Sequence, residues 1–90
     1  MFILSRDEKK LINCSNVASI YIQEVYRQYA NPDKWWEIRA MYPAVSEDAL
    51  YDILDTYSTE EECKNNFDKL CSQIGKSREH DIIDMGYLWD

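Results

Sequence analysis

Residues 58–75 read STEEECKNNFDKLCSQIG, and the fold class turns on how this stretch is interpreted. It opens as a capping box, a hydroxyl residue followed three positions later by glutamate. Both Thr59 with Glu62 and Ser58 with Glu61 satisfy that form. The apolar positions that follow are Cys63, Phe67, Leu70, Cys71 and Ile74. At ~100° per residue they fall within an arc of about 100°, with Glu61, Asn65, Asp68 and Ser72 opposite. Three glutamates in the first turn favour the positive end of a helix dipole. Gly75, with Lys76 and Arg78 beyond it, is placed to end the helix. One amphipathic helix is therefore predicted, and its apolar stripe must be buried against other elements.

Upstream, the period is two rather than 3.6. Phe2-Ile3-Leu4 reads as a first strand and Lys10 to Asn13 as a short second one. Val17 to Tyr26 has Ala18, Ile20 and Ile22 alternating with Ser19, Tyr21 and Gln23, the pattern of a half-buried strand. Asn31-Pro32-Asp33 breaks the chain. From Trp35 to Tyr42 the residues alternate again, with Trp36, Ile38, Ala40 and Tyr42 on one face. Trp35, Glu37, Arg39 and Met41 lie on the other. Pro43 ends this strand, since it lacks the donor that a ladder needs. Leu50 to Tyr57 resumes strand-like composition, and a last short strand is expected within residues 81–89. The tail Tyr87-Leu88-Trp89 is too apolar to hang free. The expected architecture is α+β: an antiparallel meander of four to five strands with one helix on one face. The other face is left to solvent or to a partner.

The whole chain has 90 residues and a formal charge of −7, with 46% apolar and 13% aromatic residues. This size admits one domain with a modest core, and the aromatic content argues against disorder. The charge is uneven. Residues 1–45 carry six basic and five acidic groups, while residues 46–90 carry four basic and twelve acidic ones. Without a Lys/Arg cluster, direct binding to nucleic acid or to an anionic membrane is disfavoured. No apolar run approaches the ~20 residues that span a bilayer, and the N-terminus lacks signal-peptide order. Three cysteines at irregular spacing do not form a disulfide framework. Reduced thiols in a cytoplasmic protein are expected.

Several segments, in order, resemble a family of small uncharacterised proteins from Gram-positive bacteria and their phages. They are Met-Phe-Ile-Leu-Ser-Arg-Asp at residues 1–7, Leu11-Ile12-Asn13 with Asn16-Val17, Ile20-Tyr21-Ile22, Ile38-Arg39-Ala40, and Ile53-Leu54 before Tyr57-Ser58-Thr59-Glu60-Glu61-Glu62. The resemblance covers most of residues 1–75 and implies a β-meander followed by a capped helix. The family has a small residue where Cys63 stands, which implies a core role for that thiol. It often has Gly near Asp55, so the turn there can differ. No catalytic motif transfers from it. Its phage setting implies a small host-directed inhibitor, such as an anti-CRISPR protein.

The chemistry-bearing residues give little support to catalysis. Cys63 and Cys71 share a helix face but sit eight residues apart, about 12 Å at ~1.5 Å per residue. One zinc ion cannot take both sulfurs. A zinc site built on Cys71 and His80, with Cys14 or a carboxylate, is the alternative reading. His80 is the single histidine, and no glycine-rich turn presents a nucleophile. The carboxylates Asp52 and Asp55 lack the opposed cleft that glycoside hydrolysis needs. The binding signal is stronger. Trp35 and Met41 share a face that is either a contact surface, since tryptophan is enriched at interaction hot spots, or is covered by the C-terminal segment with Trp89 packing on it. Glu47, Asp48, Asp52, Asp55, Glu60, Glu61 and Glu62 fall within sixteen residues, either as a solvated acidic face or as carboxylates that face a basic groove on a partner. The expected function is a non-enzymatic inhibitor, binding a host protein with a basic nucleic-acid groove, a CRISPR effector nuclease foremost. Trp35 and Met41 would be the anchors, with Glu47, Asp48, Asp52, Asp55, Glu60 and Glu61 at an acidic rim. A homodimer joined through the open sheet face, or a structural subunit, is the other expectation.

Overall fold

The computed structural model describes residues 1–6, 10–43, 50–79 and 81–87. The class is α+β, with six strands in two three-stranded sheets and one long helix among the described residues. Strands β1 (Phe2–Leu4), β2 (Leu11–Asn13) and β6 (Ile82–Asp84) form the first sheet in the order β2-β1-β6. There β1 pairs antiparallel with β2 and parallel with β6. Strands β3 (Ser19–Tyr26), β4 (Lys34–Met41) and β5 (Tyr51–Tyr57) form the second sheet, an antiparallel meander in sequence order.

The expected single meander is thus divided between two sheets. A 3-10 turn at Cys14–Asn16 separates β2 from β3, and Asn13 starts it by accepting the Ser15 amide with its side chain. This delays β3 to Ser19, two residues past the alternation that the sequence displays. The late segment β6 then returns to lie beside β1, a pairing that local periodicity does not encode.

The helix α1 spans Glu60–Lys76, and Thr59 is its cap. The Thr59 hydroxyl accepts the Glu62 amide at 3.2 Å, which resolves the two overlapping capping boxes. Contrary to expectation, Gly75 does not end the helix. Ser77 does, because its amide donates to the Ile74 carbonyl and its hydroxyl to the Gln73 carbonyl. These bonds satisfy carbonyls that the helix end would otherwise leave open.

Alternation along β4 sets the layers. Ile38 and Ala40 are fully buried, and Trp36 and Tyr42 pack against them. Cys63 and Leu70 of α1 reach the same core, with Phe67 and Ile74 half-buried beside them. From the first sheet, Ile3, Ile12 and Ile83 join it, one residue from each strand in one register row. Cys71, expected in the stripe, is exposed, whereas Asn66 is buried. Its side-chain amide donates to the Glu62 carbonyl at 3.0 Å, while its Oδ1 is buried with no hydrogen-bond partner among the described residues.

The β4–β5 pairing slips between Ile38 and Arg39, so that Ile38 faces Asp55 and Arg39 faces Ile53. Leu54 is the extra residue of this bulge. A bulge resets the parity of a strand. That lets Leu54 and its neighbour Asp55 both be buried, which strict alternation forbids.

Candidate interaction surface

The face of the second sheet turned away from the core is built from alternate residues of β4. Trp35, Glu37, Arg39 and Met41 occupy it, as the sequence predicts. Register adds Tyr21 opposite Arg39 on β3, and Ile53 and Tyr51 opposite Arg39 and Met41 on β5. Glu37 organises this surface. One carboxylate oxygen accepts the Trp35 indole N–H at 3.0 Å. The other accepts the Arg39 Nε–H at 2.8 Å, with Arg39 Nη2 at 2.7 Å, a two-pronged pair. The Arg39 guanidinium lies 4.1 Å from the centre of the Tyr51 ring. Arg27 stands over the Trp35 ring at 5.9 Å.

Glu37 is only 5% exposed although it lies on the outward face. A carboxylate removed from water is tolerated only when its oxygens are satisfied. Here the neighbours that satisfy it are also the ones that cover it. For Arg39, burial works against the charge, but the hydrogen bond and charge of Glu37, with Tyr21 and Tyr51 nearby, hold its pKa above the ordinary value. The outcome is a fixed arrangement of Trp35, Arg39 and Tyr51, with Tyr51 44% exposed and Trp35 and Met41 half-buried.

The expected acidic rim is only partly available. Glu47 and Asp48 lie outside the described residues. Asp55 is a correction: it is 1% exposed and cannot face a partner. Its carboxylate accepts the Tyr57 hydroxyl at 2.9 Å and the Thr56 amide at 2.8 Å, with the Arg6 guanidinium 3.8 Å away. Burial first, then the Asp55 charge and hydrogen bond, push the Tyr57 hydroxyl far above its usual pKa. Asp52 is likewise engaged within the chain. It pairs with Lys10 at 3.0 Å and accepts the Tyr42 hydroxyl at 2.6 Å. The Tyr42 bond, burial and the Asp52 charge push Tyr42 up to about 12. That same bond, with Lys10, holds Asp52 below the ordinary range despite some burial. Both aspartates therefore bind the basic residues that flank the β1–β2 turn and tie the two sheets together. Glu60 is exposed and paired with Lys64 one turn along at 2.7 Å, and Glu61 is exposed beside it.

Sequence reasoning placed Trp35 and Met41 but missed Glu37, Arg39, Tyr21 and Tyr51 as one unit. The i, i+2, i+4 spacing of Trp35, Glu37 and Arg39 carried part of that signal. The tyrosines required the strand register.

Among the described residues, no group of three or more His, Cys, Asp or Glu side chains is placed to hold a metal ion, and His80 lies outside them. Cys63 is buried in the core, and burial, then the charges of Asp55 and Glu60, push its thiol up to about 11. No helix of the described residues is long and apolar enough to cross a membrane. No protein-family model, curated protein or solved structure matches the chain.

Proposed function

We propose that this chain is a non-enzymatic, phage- or prophage-encoded interaction protein that inhibits a nucleic-acid-handling host complex. A CRISPR effector nuclease is the leading target. The observation that carries the binding reading is the Trp35–Glu37–Arg39–Tyr51 assembly. Tryptophan, tyrosine and arginine are the residue types that dominate measured interface energies. Here they are held in place by a carboxylate before any partner arrives, which lowers the ordering cost of association. The net charge of −7 favours a basic partner and speeds encounter with it. Blockade is steric, with the outer sheet face seated on the nuclease's nucleic-acid groove; Glu60 and Glu61, on α1 behind the sheet, contribute only to the net acidity.

The test is a cleavage assay with a panel of purified CRISPR effector nucleases, paired with calorimetric binding at two salt concentrations. Inhibition that weakens with salt, and falls at least tenfold in Trp35→Ala and Arg39→Ala, is expected. Inhibition untouched by both substitutions would sink the outer-face assignment. Neither binding nor inhibition across the panel would sink the function.

A further inference from the structure

We propose that Tyr29, at the tip of the β3–β4 hairpin, is the projecting anchor of the outer-face contact, its ring presented to a ring-accepting pocket of the partner protein. The inference begins with the turn that carries it. The chain leaves β3 at Tyr26 and enters β4 at Lys34, and the Arg27 amide donates to the Asp33 carbonyl at 2.7 Å across the neck. Beyond that neck the Ala30 amide donates to the Arg27 carbonyl at 3.2 Å, which closes a turn from Arg27 to Ala30. Tyr29 is the third residue of this turn, and its φ is 71°. That is the left-handed position of a type II turn, where glycine is preferred and asparagine is the usual substitute. A tyrosine is strained there, because its Cβ crowds the following carbonyl. Among the described residues it is the one non-glycine with a positive φ.

Burial does not offset the strain. Tyr29 is 93% exposed, the most exposed large hydrophobic side chain among the described residues. It makes no hydrogen bond and no ring contact there. The fold therefore gains nothing from an aromatic ring at this position, and the backbone is worse for it. Strained positions of this kind collect where a chain touches something outside itself. Tyrosine is also one of the residue types that dominate interface energies. The tip is continuous with the outer face. Ala30, Asn31 and Pro32 of the same loop line an open cleft of about 390 Å³ together with Trp35. Tyr29 thus stands one residue from a cleft walled by the tryptophan of the proposed contact.

An exposed phenol ring fits a pocket with flat apolar walls. A groove that stacks unpaired bases on aromatic side chains offers one. Nucleic acid itself is disfavoured as the occupant by the net charge of −7, and a second copy of this chain brings another −7. The choice of partner rests on the proposed function, whereas the argument that Tyr29 does not serve the fold is independent of it.

The test is Tyr29→Asn, which keeps the turn and removes the ring. Its Tm should rise by about 2–6 °C, because asparagine tolerates the left-handed position. Against a nuclease that the wild type inhibits, the same variant should lose inhibition at least tenfold. Tyr29→Phe keeps the ring and should lose less. Tetranitromethane supplies a contact readout. It should nitrate Tyr29 in the free chain, and the bound nuclease should protect that residue, as read by peptide mass spectrometry. A Tm that does not rise would show that the tyrosine serves the fold, and would overturn the proposal. So would a loss of inhibition below tenfold, a Tyr29→Phe loss equal to that of Tyr29→Asn, nitration unchanged in the complex, or a concentration-dependent dimer that protects Tyr29. Inhibition lost in Trp35→Ala but kept in Tyr29→Asn overturns this inference alone. A wild type that inhibits nothing in the panel overturns the proposed function, and this choice of partner with it.

Discussion

The two faces of β4 solve the same packing problem in different chemical ways. Toward the helix, Trp36, Ile38 and Ala40 pack against apolar side chains from both sheets and from α1. Away from it, Trp35, Glu37 and Arg39 reach comparable burial through an ion pair roofed by their own aromatic neighbours. The inward face derives its stability from removal of apolar surface from water, which is non-directional and tolerant of the partner's identity. The outward face depends on geometry, because Glu37 is stable there only while both its oxygens are engaged. The inward face thus holds the fold, and the outward one holds a shape that a partner can read.

The largest test of this contrast is Ile38→Ala. It deletes a fully buried side chain at the meeting point of helix and sheets. A loss of about 2–4 kcal/mol in urea unfolding is expected, given the usual cost of buried isoleucine truncation. Next is Asp55→Ala, which removes the buried carboxylate that accepts the Tyr57 hydroxyl and faces Arg6. About 1–3 kcal/mol is expected from losing such a buried hydrogen bond. The variant should also loosen the first sheet, seen as faster amide exchange in β1 and β2. On the outer face, Glu37→Gln should cost less stability, about 1 kcal/mol. It should nonetheless weaken partner binding as strongly as Trp35→Ala does. Equal stability losses for Ile38→Ala and Glu37→Gln would erase the distinction between the faces.

The smallest effect is at Tyr42, where Tyr42→Phe removes one hydrogen bond to Asp52 and is expected to cost about 1 kcal/mol at neutral pH. Its pH dependence is more informative. Asp52 has a lowered pKa when folded, so its contribution is full above the unfolded aspartate value. It is lost as pH falls through the folded one. Tyr42 is neutral at pH 7 with a raised pKa, so its contribution is full below its ordinary value near 10. It disappears as pH rises from there to about 12. The difference in stability between wild type and Tyr42→Phe should therefore be flat through the neutral range and shrink at both extremes. A difference unchanged at pH 11 would show that the bond does not couple to Tyr42 ionisation.

Particular residues mark how far sequence reading reached. Helix α1 was readable because its stripe and its cap are local, but the choice between Ser58 and Thr59, the run past Gly75 to Lys76 and the burial of Asn66 in place of Cys71 were decided by the structure. The faces of β4 were readable because alternation fixes which side chains share a side. Asp55 was misplaced because a bulge at its neighbour Leu54 changes which side of β5 it occupies, and nothing in the residue itself signals that shift. Asp52 and Asp55 read as surface charge because their counter-ions, Lys10 and Arg6, lie more than forty residues away in the chain.

By itself, the sequence determined the α+β class, the amphipathic helix and the separation of Trp35 from Trp36 onto opposite faces. These follow from periodicity and capping, which act over a few residues. Tertiary structure alone decided the division into two sheets, the return of β6 to β1, and the fate of the acidic half of the chain. Those outcomes depend on register between distant strands and on which charges meet when the strands pair. In this protein, pairing turned two of the expected partner-facing carboxylates inward. It also assembled, on the far face, the Glu37-centred cluster on which the proposed function rests.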